Sequence, residues 1–336
     1  AALAHYAAMF AAMCARGIEP CCVVWETAAP AWFTDTGGWL RRDAPMLFEG
    51  YVRQVAQALA PYCRWWVPLH EPAHWMTMTA LERQWPAPAS GPLGLRRTLR
   101  HMAAAQQRAY AVLRAMRPDA QVGLAIRGYP TRPADPNSAW DLRAAQWEQA
   151  RYHHSFAAHT QEAFDFLGVS FYGRGTIAFA PAKPRRLFRQ PLARSRRPGS
   201  ADRPAHAPWE LCTVLQDLQR YGVPIYVMGN GVATDNDADR CAYLLDHVHV
   251  LGWCVAAALP VHGYFHRALL DGFEWADGFT ARYGLVHVDR ATLARTPNPS
   301  AFLYQAIVAN RGITPGAASR FCPDWQPPPR AEGEAQ

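Results

Sequence analysis

The stretch WVPLHEPAHW, residues 66–75, holds the densest group of side chains that could do chemistry. His70, Glu71 and His74 fit the H-E-x-x-H pattern, in which two histidines on one helix face hold zinc. The same letters fit a buried strand that ends in a carboxylate. Pro72 favours the strand, because a proline restrains the residue before it to extended geometry. We therefore predict no metal or cofactor here, and two histidines that point in different directions.

Six apolar segments separated by helical patterns predict the elements that would carry these residues. The strands are expected at residues 19–26, 64–71, 120–127, 164–172, 223–229 and 261–267. The helices are expected at residues 2–16, 46–63, 95–116, 209–221 and 236–252. Strands that are apolar throughout and alternate with helices indicate a parallel sheet covered on both faces. The sequence thus predicts an α/β fold, either a doubly wound sheet or a (β/α)₈ barrel.

The ends of these strands favour the barrel. No glycine-rich phosphate loop follows any of them, which argues against a nucleotide-binding Rossmann domain. Polar residues instead gather at the C-terminal ends, at Glu26, His70, Glu71, Arg127, Tyr172, Asn230, His266 and Arg267. In a (β/α)₈ barrel those ends form the active-site face. We predict a TIM-type barrel, of which this chain carries about six βα units.

The net charge of +7 comes from one segment. Residues 183–197 hold seven basic and no acidic residues, and the rest of the chain carries 27 of each sign. No nucleic-acid-binding motif accompanies them, so we predict a solvated basic loop over 183–203 and no nucleic-acid partner. The sequence has no apolar run of 18 residues and no C-x-x-C pair among its eight cysteines, and its first residues are not expected to form a secretory leader. These features predict a cytoplasmic protein without a membrane span.

Motifs that carry a family resemblance run in order from about residue 2 to residue 310. They are ALAHYAAMFAAMCARGIEPCCVVWETAAPAWFTDTGGWL, WWVPLHEP, FDFLGVSFYGR, YGVPIYVMGNGVAT and GYFHRALLDGFEWADGFTARYGLVHVD. Together they resemble glycoside hydrolase family 1, the β-glucosidase family. The resemblance implies a barrel domain over residues 1–313 and a proline-rich tail at 314–336. The family's first two barrel strands have no counterpart here, so we expect a missing segment or a protein partner to cover the open sheet edges.

By this resemblance, Glu71 and Gly229 take the positions of the two catalytic carboxylates. Retaining glycosidases place an acid/base and a nucleophile about 5 Å apart. Glu71 matches the acid/base, whereas Gly229 matches the nucleophile and has no side chain that can attack a sugar. A standard retaining mechanism is therefore excluded unless another group substitutes, and whether the protein is an enzyme stays open.

The other sugar contacts implied by the resemblance are partly changed. Glu26 stands where the family has a histidine that grips a hydroxyl, His70 replaces an asparagine that holds the 2-hydroxyl, and Arg267 replaces a stacking tryptophan. The retained site positions are Tyr172, Glu274 and Trp275. Arg267 is expected to neutralise Glu26 or Glu71, which would oppose a general acid that must stay protonated.

Three functions are compatible with these residues. The favoured one is a non-hydrolysing homologue, a pseudoenzyme that uses a remodelled sugar pocket for binding or assembly. The alternative is a β-glycosidase or transglycosidase with Glu71 as acid/base and a substitute carboxylate such as Glu26. A wider separation of these two carboxylates, with water between them, would permit inversion. A zinc site of His70, His74 and Glu26 is the least favoured. In the first two cases the ligand is a carbohydrate or glycoside.

Overall fold

The structure is a computed structural model that describes residues 1–85, 91–160, 163–191 and 207–330. Its strands are β1 Cys21–Trp25, β2 Trp65–Leu69, β3 Gln121–Gly128, β4 Thr131–Pro133, β5 Phe166–Phe171, β6 Gly175–Phe179, β7 Arg189–Pro191, β8 Ile225–Asn230, β9 Val261–His266, β10 Val286–Val288 and β11 Arg295–Pro297. Its helices are α1 Ala2–Cys14, α2 Ala31–Asp35, α3 Ala44–Leu59, α4 Pro72–Met76, α5 Pro92–Met116, α6 Ala139–His153, α7 Pro208–Leu218, α8 Asp237–Ala256, α9 Pro299–Asn310 and α10 Pro315–Phe321. All six predicted strands and all five predicted helices are confirmed.

The predicted strands form one six-stranded sheet in the order β1-β2-β3-β5-β8-β9. The pairs β1–β2, β2–β3 and β8–β9 are parallel. Parallel pairing brings the C-terminal ends of neighbouring strands to the same edge of a sheet. The polar residues at those ends are therefore neighbours wherever their strands pair directly.

The chain divides into two compact units. The first contains Ala1–Arg127, Pro133–Val169 and Ile177–Gln190, and the second contains Gly128–Arg132, Ser170–Thr176 and Pro191–Gln336. Strands β1, β2 and most of β3 belong to the first unit, and β8 and β9 belong to the second. The candidate site residues are accordingly described within each unit.

The core of the first unit is built on strands that are apolar on both faces. Trp66, Val67 and Leu69 of β2 are fully buried, as parallel strands between helices require. Helix α3 buries one side through Val52 and packs against α5. The sequence patterns did not single out α6. Its N-cap residue is Ser138, whose hydroxyl accepts a hydrogen bond from the N–H of Asp141 in the first turn.

The last three helices of the second unit pack against one another. Buried side chains from α8, α9 and α10 form one cluster of Cys241, Leu244, Leu245, Leu303, Ile307 and Ala318. Trp325, beyond α10, donates its indole N–H to Asp246 of α8 over 2.8 Å. Residues 315–325 of the stretch predicted as a tail therefore pack on the second unit, while 331–336 lie outside the described residues.

The described part of the predicted basic loop, residues 183–191, is anchored by a buried arginine. Arg189 is buried and lies 3.0 Å from Glu82 and 3.2 Å from Glu148. The prediction of a solvated loop is therefore wrong at Arg189, which is buried. The two carboxylates make this burial possible, because a buried guanidinium is tolerated only beside opposite charges. Residues 192–203 of the loop lie outside the described residues. Within the described part of the chain, no helix combines the length and apolarity needed to cross a membrane.

Candidate functional site

Glu71 joins β2 to α4 through a left-handed backbone. Its φ and ψ are 47° and 48°, its N–H donates to the carbonyl of Ala125 over 3.0 Å, and α4 starts at Pro72. The expectation of extended geometry was wrong, although Glu71 does lie outside the α-helical region. A non-glycine residue in this conformation costs about 1–3 kcal/mol, and such residues cluster at functional sites. The turn fixes where the Glu71 carboxylate lies.

Glu71 is buried beside an arginine of the next strand. Glu71 is 8% exposed, and Nη1 of Arg127 lies 3.4 Å from its Oε2. The parallel pairing of β2 and β3 brings these strand ends together. A buried carboxylate is strongly stabilised by an opposite charge.

The other two residues at this edge of the first unit are His70 and Glu26. His70 donates its backbone N–H to the carbonyl of Trp25 over 2.9 Å, which continues the β1–β2 pairing. Its Nδ1 lies 3.8 Å from Oε1 of Glu26, whose side chain is 42% exposed. Glu26, His70 and Glu71 are thus brought to neighbouring strand ends, as the sequence predicted.

His74 has different surroundings from His70. His70 lies in the strand, in a bridge with Ala125, whereas His74 lies on α4. The Nδ1 atom of His74 is 3.4 Å from the Tyr152 hydroxyl, and its ring is 5.3 Å from that of Trp85. The helix begins after Glu71, so the two histidines do not share one helix face as the zinc pattern demands. This confirms the prediction that they point in different directions.

In the second unit, Gly229 lies in β8 with two hydroxyl groups beside it. A Cβ atom at this position would be 2.6 Å from the Tyr172 hydroxyl and 2.9 Å from Oγ of Ser170. Real Cβ atoms essentially never approach other atoms so closely. The space in which a nucleophile side chain would begin is therefore occupied.

Arg267, directly after β9, forms an ion pair with a glutamate and lies near two aromatic rings. Its Nη2 donates to Oε2 of Glu274. The guanidinium carbon lies 5.9 Å from the ring centroid of Tyr172 and 5.3 Å from that of Tyr283. Aromatic faces attract a cation and also restrict its motion. The position that matches the family's stacking tryptophan therefore holds a fixed positive charge.

Within its own unit, Arg267 forms an ion pair with Glu274. Glu274 lies in the loop after β9. The predicted neutralisation of Glu26 or Glu71 by Arg267 concerns residues of the first unit and stays a prediction. Trp275 follows in a short 3₁₀ helix, with its ring 6.3 Å from that of Phe273. Glu274 and Trp275 thus keep the residue types that the family has, whereas residue 267 beside Glu274 differs from the family's tryptophan.

A hydrogen-bond network behind Gly229 was missed by sequence reasoning. The Asn230 side-chain amide donates to the carbonyl of Phe171 over 2.9 Å and to the Tyr243 hydroxyl over 2.8 Å. The Tyr264 hydroxyl donates to Asn230 Oδ1 over 2.9 Å and lies 3.0 Å from Nδ1 of His266. Asn230 and His266 had been singled out as strand ends. The two tyrosines had no pattern that distinguished them from core aromatics.

Burial in this network shifts the titration of its members. It raises the pKa of the Tyr243 and Tyr264 hydroxyls well above the ordinary value. It lowers the pKa of His266 to about 4, with the charge of Arg240 adding to the effect and that of Asp237 opposing it. These groups therefore stay neutral at pH 7 and hold β8 and β9 together through neutral hydrogen bonds.

Comparisons with known proteins identify the family. The model described as "Glycosyl hydrolase family 1" matches residues 1–162 and 156–313, so the chain belongs to glycosyl hydrolase family 1. A solved beta-glycosidase from Pyrococcus horikoshii aligns with a TM-score of 0.85 at 25% identity, over 95% of this chain and 78% of that one. A beta-glucosidase from Thermotoga maritima in complex with glucoimidazole has the same fold, with a TM-score of 0.82 at 23% identity over 93% and 78% of the two chains. The predicted fold class, a TIM-type (β/α)₈ barrel, is confirmed.

Curated relatives carry more than one activity. A beta-galactosidase from Pyrococcus woesei is 29% identical over 82% of this chain and 64% of its own length. The galactolipid galactosyltransferase SFR2 of Arabidopsis thaliana is 26% identical over 93% of this chain and 51% of its own length. This chain therefore spans about half to two thirds of the length of these relatives.

Proposed function

We propose that this protein is a non-hydrolysing member of glycosyl hydrolase family 1 that binds a carbohydrate or glycoside at its strand ends. Gly229 carries this proposal. A retaining glycosidase needs a second carboxylate, and position 229 supplies none. The hydroxyl groups of Tyr172 and Ser170 also fill the space in which that side chain would begin. Restoring the nucleophile would therefore require these residues to move.

The ion pair of Arg267 and Glu274 supports a ligand-binding role with altered selectivity. A tryptophan at this position would offer a flat apolar face to a sugar ring, whereas a guanidinium offers N–H donors and a positive charge. Glu274 offers acceptor oxygens beside it. These groups suit the hydroxyl groups of a sugar. Family membership further supports a carbohydrate ligand.

The test uses one panel of aryl β-glycosides for both binding and hydrolysis. We expect the full-length protein to bind at least one member, as seen by saturation-transfer NMR, and to release no measurable phenol. Arg267→Met should weaken that binding at least tenfold, because it removes the donors and the charge. Arg220→Met is the matched control, since Arg220 also pairs with a carboxylate of the second unit but lies on an exposed helix end. Hydrolysis by the unmodified protein would overturn the proposal.

A second candidate is a glycosidase or transglycosidase that uses Glu71 and Glu26. The observation that favours it is the position of Glu26, half-exposed at the end of the strand next to β2. A relative named as a galactolipid galactosyltransferase gives it further support. Turnover that is abolished by Glu71→Gln and by Glu26→Gln, but not by Glu19→Gln, would establish this candidate. Retained turnover in Glu26→Gln would eliminate Glu26 as the substitute.

Completion of the barrel and the cellular location are further proposals. We propose that a segment or protein partner outside this chain supplies the first two barrel strands, and that the protein is cytoplasmic. The share of the relatives' length that this chain spans supports the first point. Co-purification of the full-length protein from its own cells, with fractionation, tests both. Purification of a barrel-length polypeptide without a bound partner would contradict the partner. Recovery of the protein in the membrane or secreted fraction would contradict the cytoplasmic location.

A further inference from the structure

A proline-rich segment of the second unit, residues 325–330 with the sequence WQPPPR, follows α10 and belongs to no helix or strand. We call its last four residues, 327–330, the PPPR segment. Consecutive prolines favour the polyproline II conformation, which has no internal hydrogen bonds and leaves its carbonyl groups free for a partner. The candidate site at the strand ends uses none of these residues.

Two tryptophans of neighbouring helices form the surface on which this segment lies. Trp209 of α7 and Trp253 of α8 are half-buried, and their ring centroids are 5.7 Å apart with an interplanar angle of 75°. Asp246 and His249 precede Trp253 by seven and four positions, so these three residues share one face of α8. We call Trp209, Asp246, His249 and Trp253 the tail-binding face.

Trp325 anchors the start of the segment on this face. Its indole N–H donates to Asp246 over 2.8 Å, and its ring centroid lies 6.1 Å from that of His249. Trp325 also packs against the buried cluster formed by α8, α9 and α10. This anchor places the PPPR segment beside the two tryptophans.

The PPPR segment meets the two tryptophans through a carbonyl group and a cation. Trp209 donates its indole N–H to the carbonyl of Pro328 over 3.1 Å. The guanidinium carbon of Arg330 lies 4.4 Å from the ring centroid of Trp253 and 5.6 Å from that of Trp209. Aromatic grooves bind proline-rich segments, and the face of a tryptophan attracts a guanidinium. The tail-binding face therefore provides both elements of a site for a proline-rich peptide that carries an arginine.

The PPPR segment is seated on the surface and is not built into the core. Pro327, Pro329 and Arg330 are exposed, and Pro328 is half-buried. Among the described residues, no backbone–backbone hydrogen bond involves residues 326–330. A segment with this exposure and without a backbone ladder can leave its site without unfolding the unit.

We propose that the tail-binding face recognises a Pro-Pro-Pro-Arg segment of a partner protein, which replaces the chain's own PPPR segment. The chain's own segment shows which groups the face binds, namely a proline carbonyl and a guanidinium two residues later. Any segment with this spacing offers the same groups, and its prolines lose little conformational entropy on binding.

The chain's own PPPR segment competes with the partner as a tethered ligand, with an effective concentration in the millimolar range. How firmly Arg330 is held therefore controls how available the tail-binding face is. This interaction goes beyond the glycoside-binding function proposed above and shares no residue with it.

Fluorescence anisotropy of a labelled peptide tests this surface on the full-length protein. The peptide carries Pro-Pro-Pro-Arg between Gly-Ser flanks, so that it shares only these four residues with the chain. We expect Arg330→Ala to bind the peptide at least about fivefold more tightly than the unmodified protein, because the tethered competitor has lost its cation on Trp253. Arg320→Ala is the matched control, since Arg320 is also exposed and lies over an aromatic ring of the same unit, 5.0 Å from the ring centroid of Phe321. This control should bind the peptide like the unmodified protein.

The indole N–H of Trp209 provides a second test. In the Arg330→Ala background, Trp209→Phe keeps an aromatic ring but removes the donor, and it should weaken peptide binding about fivefold. A peptide with glutamine in place of its arginine should bind the Arg330→Ala protein about fivefold more weakly. The melting temperatures of all variants should stay within a few degrees of the unmodified protein, which separates lost recognition from lost folding.

The proposal is overturned if the Arg330→Ala protein binds no peptide, or binds it no more tightly than Arg320→Ala does. Equal binding with and without Trp209→Phe would also contradict it. Binding of a peptide with the native residues 324–330, but not of the Gly-Ser peptide, would restrict the face to the chain's own tail and eliminate the partner. Sedimentation that shows a dimer of the unmodified protein, lost in Arg330→Ala, would assign the face to the PPPR segment of a second copy instead.

Discussion

The strand ends of the two units depart from the family in different ways. In the first unit, Glu71 keeps the acid/base position and is paired with Arg127. In the second unit, the nucleophile is replaced by Gly229, and Tyr172 reaches the space where its side chain would begin. In the first unit the catalytic carboxylate of Glu71 is retained and an arginine lies beside it. In the second unit the nucleophile is lost and other side chains pack where it would begin. A retaining glycosidase cannot work without its nucleophile, so the second unit explains the proposed loss of hydrolysis better.

The largest expected effect tests how tightly the end of β8 is packed. A Cβ atom on Gly231 would overlap the carbonyl oxygen of Arg267, which is backbone and cannot rotate away. We expect Gly231→Ala to lower the free energy of unfolding by more than about 3 kcal/mol, measured by urea denaturation. Gly252→Ala is the control, because no atom lies within 4 Å of its added Cβ and α8 should gain about 0.5–1 kcal/mol. Similar stabilities of the two variants would contradict this packing.

The charge pair of the first unit gives the next largest effect. Arg127→Met leaves the Glu71 carboxylate buried with less compensation, and we expect a loss of about 3 kcal/mol in urea denaturation. Arg127→Met/Glu71→Gln should recover most of this loss, because the remaining side chain carries no charge. If the double variant is no more stable than the single one, Arg127 does not compensate Glu71.

Acid should destabilise the second unit through His266. Its pKa is about 4 in the fold and 6.5 as the ordinary value, because burial opposes the charged ring. The unfolded chain therefore binds more protons between these values, and stability is lost as the pH falls from 6.5 to 4. His266 contributes at most about 1.4 kcal/mol per pH unit to this slope. His266→Gln should flatten the pH dependence of urea denaturation in this window, whereas His262→Gln, at an exposed position of the same strand, should not. If the pH dependence of stability is unchanged in His266→Gln, His266 does not cause the loss of stability in acid.

The smallest effect concerns the lost nucleophile position itself. Gly229→Ala should cost about 1–2 kcal/mol, less than Gly231→Ala, because its close neighbours are side-chain hydroxyl groups that can move. Tyr172→Phe removes one of these hydroxyls, so the cost of Gly229→Ala should be smaller in that background. An equal cost in both backgrounds, measured by urea denaturation, would show that the Tyr172 hydroxyl does not fill the space.

Sequence patterns could predict the fold because burial leaves a strong signal in parallel strands. Trp66, Val67 and Leu69 of β2 are all buried, so no polar residue alternates with apolar ones along this strand. The same reasoning correctly placed Glu71 at a strand end. The left-handed conformation of Glu71 could not be read from Pro72, because the residue before a proline avoids only the α region and the fold selects among the rest.

The charge partners in the site were harder to predict, because they depend on side-chain reach. Arg267 follows a strand, and its pairing with Glu274 in its own connecting loop had not been predicted. Arg127 was recognised as a strand end but not as the partner of Glu71, which follows from the pairing of β2 and β3. The hydroxyls beside Gly229 come from Ser170 in β5 and from Tyr172 just after it, so no local pattern pointed to them.

The most direct measurement is hydrolysis of activated aryl β-glycosides by the full-length protein with and without azide or formate. A small anion can replace a missing nucleophile only where the vacated space is open. Because Tyr172 and Ser170 lie in that space, we predict no glycosyl azide and no phenol release under either condition. Turnover with azide alone would contradict the closed nucleophile position and show that Glu71 still works as an acid/base. Turnover without any added anion would contradict the non-hydrolysing function itself.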